Sequence, residues 1–131
     1  MRLLLVLGAL ALSVNIAPLR AAEHTSDSLE TVKERLTSGE AILVDVRELS
    51  EWEEGHLKGA RLLSLSRLRK GIPSEELAKI LTPDKVIYAH CAAGFRCLET
   101  AERLKRAGYE VRALKPGYKA LLDAGFEKAA P

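Results

Sequence analysis

Two short apolar runs, AILVDV (41–46) and KVIYAH (85–90), constrain the fold more than any other feature of this chain. The first is nearly continuous in hydrophobicity; the second is β-branched and aromatic. Such runs mark strands buried on both faces, and strands of that kind belong to parallel sheets covered by helices. The intervening segments supply the helices. TSDSLETVKERLTSG (25–39) is amphipathic: Asp27 and Glu30 have capping-box spacing, Leu29, Val32 and Leu36 share a face, and Gly39 ends it. SEWE (50–53) reads as a second capping box opening a short helical turn, and a brief strand follows near Arg61 to Leu63. SRLRK (66–70), SEELAKIL (74–81), LETAERLKRAG (98–108) and YKALLDAG (118–125) are predicted helices. Leu98, Ala101 and Leu104 face inward in the third of these. YEVRAL (109–114) alternates as a strand. Strands alternating with helices at this spacing predict an α/β fold, a mostly parallel central sheet with helices on both faces.

The amino terminus reads as an address. Arg2 precedes an almost unbroken apolar run from Leu3 to Val14, and small residues follow at Ala21 and Ala22. That run is too short to span a bilayer, so residues 1–22 are expected to be a cleaved signal peptide and residues 23–131 a single domain. The expected location is periplasmic or secreted, without stable membrane insertion after cleavage. The net charge of +2 belongs to Arg2 and Arg20 of the leader, and the rest of the chain balances at zero. No basic stripe marks a nucleic-acid partner. Oligomeric state is not written in the sequence.

Both cysteines lie in HCAAGFRC (90–97), between the second apolar run and the helix that follows it. In parallel sheets ligands gather beyond the carboxyl ends of the strands, where this loop falls. A bridge between Cys91 and Cys97 would close only a short loop, and no second Cys or His cluster supplies the four ligands of a zinc site. A loop wrapped over a helix start aims unpaired N–H groups at one point and meets the positive end of the helix dipole. A cysteine at its entrance is then held as a thiolate, its pKa below the roughly 8.5 of a free thiol. Gly94 permits a positive φ, Ala92 and Ala93 keep the rim narrow, and Arg96 offers a guanidinium to a substrate oxyanion.

With these residues in place the chain resembles the single-domain rhodanese-like sulfurtransferases. DVRELSEWEEGHLKGA (45–60) is similar to the family's first signature, and CAAGFR (91–96) to its active loop, with cysteine first, glycine fourth and arginine sixth. LKPGYKALLDAGF (114–126) resembles the closing segment, with Pro116 where glycine is common and Tyr118 where tryptophan is common. The resemblance implies a rhodanese-like three-layer domain and a thiosulfate sulfurtransferase. Cys91 would take sulfane sulfur from a small anionic donor such as thiosulfate and pass it, as a persulfide, to cyanide or a thiol. It implies no cofactor and no metal. Ala92, Ala93, Gly94, Phe95 and Arg96 would bind the substrate.

Cys97 has two readings. It is either a small residue in the first turn of the helix, where serine or threonine is common in the family, or a resolving thiol for Cys91. Asp45 and Arg47 are expected to brace neighbouring loops, and His56 to be a hydrogen-bonded packing residue. His90 should point to the sheet face opposite Cys91. Trp52 and Tyr118 read as core or rim aromatics. Three other functions compete. A phosphatase loop needs five residues between cysteine and arginine, whereas four separate Cys91 from Arg96. A thiol–disulfide or persulfide redox protein would use both cysteines. A non-catalytic binding module would need neither.

Overall fold

The computed structural model describes Ser13 and residues 22–131. The expected signal peptide therefore lies, apart from Ser13 and Ala22, outside the described residues. Among the described residues no helix is long and apolar enough to cross a membrane.

Both apolar runs are strands. They form β1 (Ala41–Asp45) and β3 (Val86–His90), paired in parallel from Ala41 opposite Val86 to Asp45 opposite His90. Outside β1 lies the two-residue β2 (Arg61–Leu62), and outside β3 lies β4 (Val111–Ala113), giving the order β2-β1-β3-β4, all parallel. The helices in chain order are α1 (Leu29–Ser38), α2 (Leu49–Glu54), α3 (Leu65–Lys70), α4 (Ser74–Leu81), α5 (Arg96–Arg106) and α6 (Tyr118–Asp123).

Strand alternation divides the core in two. Ile42, Val44, Ile87 and Ala89 point to one face, where Leu77 and Leu81 of α4 and Ala101 and Leu104 of α5 cover them. Ala41, Leu43 and Tyr88 point to the other, against Val32 of α1 and Leu121 of α6. Burying each Leu or Ile contributes about 1.5–3 kcal/mol, which explains why strands of five residues hold this sheet together. Cys91 and Cys97 lie in the first cluster, so the reactive loop is anchored in core rather than draped over it.

α5 begins two residues ahead of the expected Leu98, and two helix caps differ from expectation. The hydroxyl of Ser28, not the Asp27 carboxylate, caps α1 by accepting from the Thr31 N–H at 3.1 Å. Asp27 instead faces the sheet: its Oδ2 accepts from the Tyr88 hydroxyl at 2.7 Å, Arg112 at 2.8 Å and Arg35 at 3.0 Å. The Tyr88 hydroxyl, ahead of Arg112, holds this carboxyl below its ordinary range. A charged group in reach of two guanidiniums and a phenol is worth more there than at an exposed cap. In α2 the capping box is Glu48 with Glu51, two residues ahead of the expected Ser50 with Glu53. The hydroxyl of Ser66 donates to Glu48 at 2.7 Å, tying that cap to α3.

The strand expected over 109–114 keeps its ladder only at Val111–Ala113. Ahead of α1, residues 24–25 run beside β4: His24 forms a parallel bridge with Ala113, and the Thr25 N–H donates to the Ala113 carbonyl at 2.8 Å.

Candidate active site

β3 delivers Cys91 to the carboxyl edge of the sheet, and α5 begins five residues later at Arg96. Phe95, the cap residue of α5, has no side-chain acceptor for the orphan N–H groups of the first turn. The sulfur of Cys91 serves them instead. Its Sγ accepts from the Gly94 N–H at 3.1 Å, and the N–H groups of Cys97 and Ala93 favour its charge as well. The largest single cause is the Cys97 thiol, whose hydrogen bond, with those N–H groups and against the opposing effect of burial, pulls the Cys91 pKa down to about 5. Cys91 is therefore a thiolate at neutral pH. Cys97 moves the opposite way. Its hydrogen bond to Cys91, then its burial, push it far above the ordinary thiol range, so it keeps its proton.

Two glycines make the loop possible. Gly94 has φ 87°, and a Cβ there would come 2.5 Å from the Lys115 carbonyl oxygen. Gly117 has an ordinary φ but lies so close to the loop that a Cβ would overlap the Ala92 carbonyl. The next residue, Tyr118, donates its backbone N–H to the Cys91 carbonyl at 2.9 Å. The closing segment is thus a buttress for the loop. Gly117→Ala is expected to displace it at a cost of about 1–3 kcal/mol, seen as a lower thermal-denaturation midpoint than the wild type.

The loop residues predicted to meet the substrate lie together but differ in exposure. Cys91 is fully buried, Gly94 is buried, and Ala92 and Ala93 are exposed. Phe95 stands out at 74% exposure, an apolar knob on the rim. Arg96 is already engaged: its two terminal nitrogens donate to the two carboxylate oxygens of Glu51 at 2.6 and 2.9 Å. That fork drops the Glu51 pKa to about 2 and clasps α2 to the start of α5.

Beneath the loop, Asp45 and Arg47 form a buried fork, with Arg47 Nε at 3.0 Å and 3.1 Å and its terminal nitrogen at 2.9 Å from the carboxylate. Arg47 also donates to the Gly55 carbonyl at 2.8 Å and stacks its guanidinium 4.1 Å from the Tyr118 ring centre. His90 is fully buried 3.7 Å from Asp45, on the sheet face opposite Cys91, with neither ring nitrogen hydrogen-bonded. Burial lowers its pKa, and its place on the opposite face keeps the ring away from the sulfur. His56 lies apart from the loop contacts: its Nδ1–H donates to the Trp52 carbonyl at 3.0 Å and its ring stacks on Trp52 at 3.6 Å.

Two contacts to the site escape sequence reasoning. His24 donates from Nε2 to the Gly94 carbonyl at 2.6 Å, reaching the loop from 70 positions away in sequence. Glu51 sits within the first signature, but only the fold shows that its partner is Arg96. A cleft of about 450 Å³ opens elsewhere, at the amino ends of β1 and β3 beside Gly39, Lys58 and Lys85, and neither cysteine lines it. Among the described residues no group of three His, Cys, Asp or Glu side chains is arranged as metal ligands would be.

Known proteins resemble this chain in sequence and in fold. Over 91 residues the chain is 33% identical to a Mycobacterium tuberculosis protein named probable adenylyltransferase/sulfurtransferase MoeZ, covering 69% of this chain and 22% of that one. The chain thus spans about a fifth of that relative's length. A Helicobacter pylori protein solved in solution is 35% identical with a TM-score of 0.57, covering 70% of this chain and 79% of that one. A human single-domain sulfurtransferase superposes with a TM-score of 0.64 at 24% identity, covering 74% of this chain and 94% of that one, a likeness of fold. Residues 28–124 match the model of the Rhodanese-like domain, and the chain belongs to that family.

Proposed function

We propose that the protein is a sulfurtransferase that carries sulfane sulfur on Cys91, acting after export to the periplasm or the exterior. The observation that carries this is the Cys91 sulfur, held at the focus of main-chain N–H groups over the α5 terminus with its pKa near 5. A thiolate attacks the outer sulfur of thiosulfate, the sulfur–sulfur bond of the donor breaks, and sulfite leaves with the bonding pair. The charge moves to the outer sulfur of the new persulfide, where the donors over the helix mouth still favour it. Cyanide or a thiolate then takes that outer sulfur, and the Cys91 thiolate returns. Arg96 faces the donor's oxyanion with its charge partly offset by Glu51, so it orients the substrate more than it attracts it. The exposed Ala92, Ala93 and Phe95 suit an acceptor with apolar surface beside its thiol.

Intact-mass measurement of the reduced protein after thiosulfate tests the proposal. In Cys91→Ala no sulfur should be retained, whereas a chain with Cys91 and with Cys97 replaced by serine should gain one sulfur atom and lose it to cyanide. Absence of that gain overturns the proposal.

A further inference from the structure

The two cysteines converge on one residue. Gly94 gives its N–H to Cys91 Sγ at 3.1 Å, and its carbonyl oxygen lies 3.3 Å from Cys97 Sγ. Both cysteines are fully buried, so an external acceptor has to enter the loop, while Cys97 is already inside it. The second contact of the Cys97 sulfur, the Leu114 carbonyl at 3.4 Å, faces it from beyond β4 and fixes its position from the far side. We propose that Cys97 is a resolving thiol: it attacks the inner sulfur of the Cys91 persulfide, forms a Cys91–Cys97 disulfide and expels hydrosulfide.

This step rests on the sulfurtransferase proposal and extends it from transfer to release. Its balance is closed. The new bond joins the two cysteine sulfurs, the bond between Cys91 Sγ and the outer sulfur breaks, and the outer sulfur leaves with the pair. The proton of the Cys97 thiol accompanies it as HS⁻. The outer sulfur is reduced to sulfide and the cysteine pair is oxidised, with no external oxidant. A dithiol or two monothiols reopen the disulfide and are oxidised in turn. The resting state is also primed for it. The negative sulfur of Cys91 is what keeps Cys97 protonated, and loading moves that charge one atom outward. The inner sulfur becomes an electrophile as the restraint on Cys97 weakens. Ring closure spans only residues 91–97, already folded around Gly94, so little further chain entropy is lost.

The test is a single turnover. The fully reduced protein receives one equivalent of thiosulfate with no thiol present; sulfide is then assayed and the intact mass read. The wild type should release about one sulfide per chain and become a monomeric disulfide two hydrogens lighter than the reduced chain. Cys97→Ser and Cys97→Ala should keep the bound sulfur and release at least tenfold less sulfide. A wild type that keeps its sulfur, or variants that release sulfide equally, overturn the resolving role and leave the transferase proposal standing. Variants and wild type that take up no sulfur overturn both.

Discussion

Iodoacetamide should alkylate Cys91 along a titration curve centred near pH 5 and flat above about pH 7. The reacting species is the thiolate, so the rate rises as pH passes upward through the pKa and then stops rising. An ordinary cysteine would still be gaining rate near pH 8.5. The closed loop slows the reagent at every pH, because Cys91 is fully buried; the position of the curve, not its height, reports the ionisation. Replacing Cys97 by alanine removes the largest cause of the lowered pKa and should move the midpoint upward. The same linkage appears in stability. Between pH 5 and about 8.5 the unfolded chain binds a proton at Cys91 that the folded chain does not, so stability rises with pH. Wild type should therefore gain thermal stability over Cys91→Ala across that window and lose the advantage as pH falls through 5. A midpoint near 8.5 would show that the loop does not ionise the sulfur.

Much of this site was legible because local chemistry and fold agree there. Apolar runs of six residues each fit strands buried on both faces of a covered parallel sheet, and such a sheet puts Cys91 at a strand end before a helix. The cap residues were read less well. Asp27 and Ser28 are both good caps, and only the arrival of Tyr88 and Arg112 from other strands decides between them. Long-range partners leave no periodic trace. His24 precedes the segment that carries the resemblance, and its bond to Gly94 exists only because residues 24–25 lie along β4. The pairing of Arg96 with Glu51 is of the same kind: each residue type was visible, but their meeting depends on α2 lying beside the start of α5. The role of Cys97 was open for a different reason. Whether it is filler or reagent turns on where two sulfurs point, and a sequence spacing does not fix that.

Asp45→Ala should be among the most destabilising single changes in the chain, costing about 3–5 kcal/mol, because it strands a buried guanidinium without its anion. Asp45 is fully buried and Arg47 only 4% exposed, so water cannot replace the lost carboxylate. The remaining partners of Arg47, one carbonyl of Gly55 and the face of Tyr118, carry no formal charge. The damage should also reach the reactive loop. Arg47 packs on the ring of Tyr118, and the Tyr118 N–H holds the Cys91 carbonyl, so a displaced guanidinium loosens the buttress behind the sulfur. Denaturant melts of Asp45→Ala, Arg47→Met and the double variant separate the causes. If the stranded charge dominates, the double variant should be more stable than Asp45→Ala alone, since removing both partners removes the desolvated ion. Additive losses in the double variant would instead mean that each side chain acts by shape, and that the pair is packing rather than electrostatics.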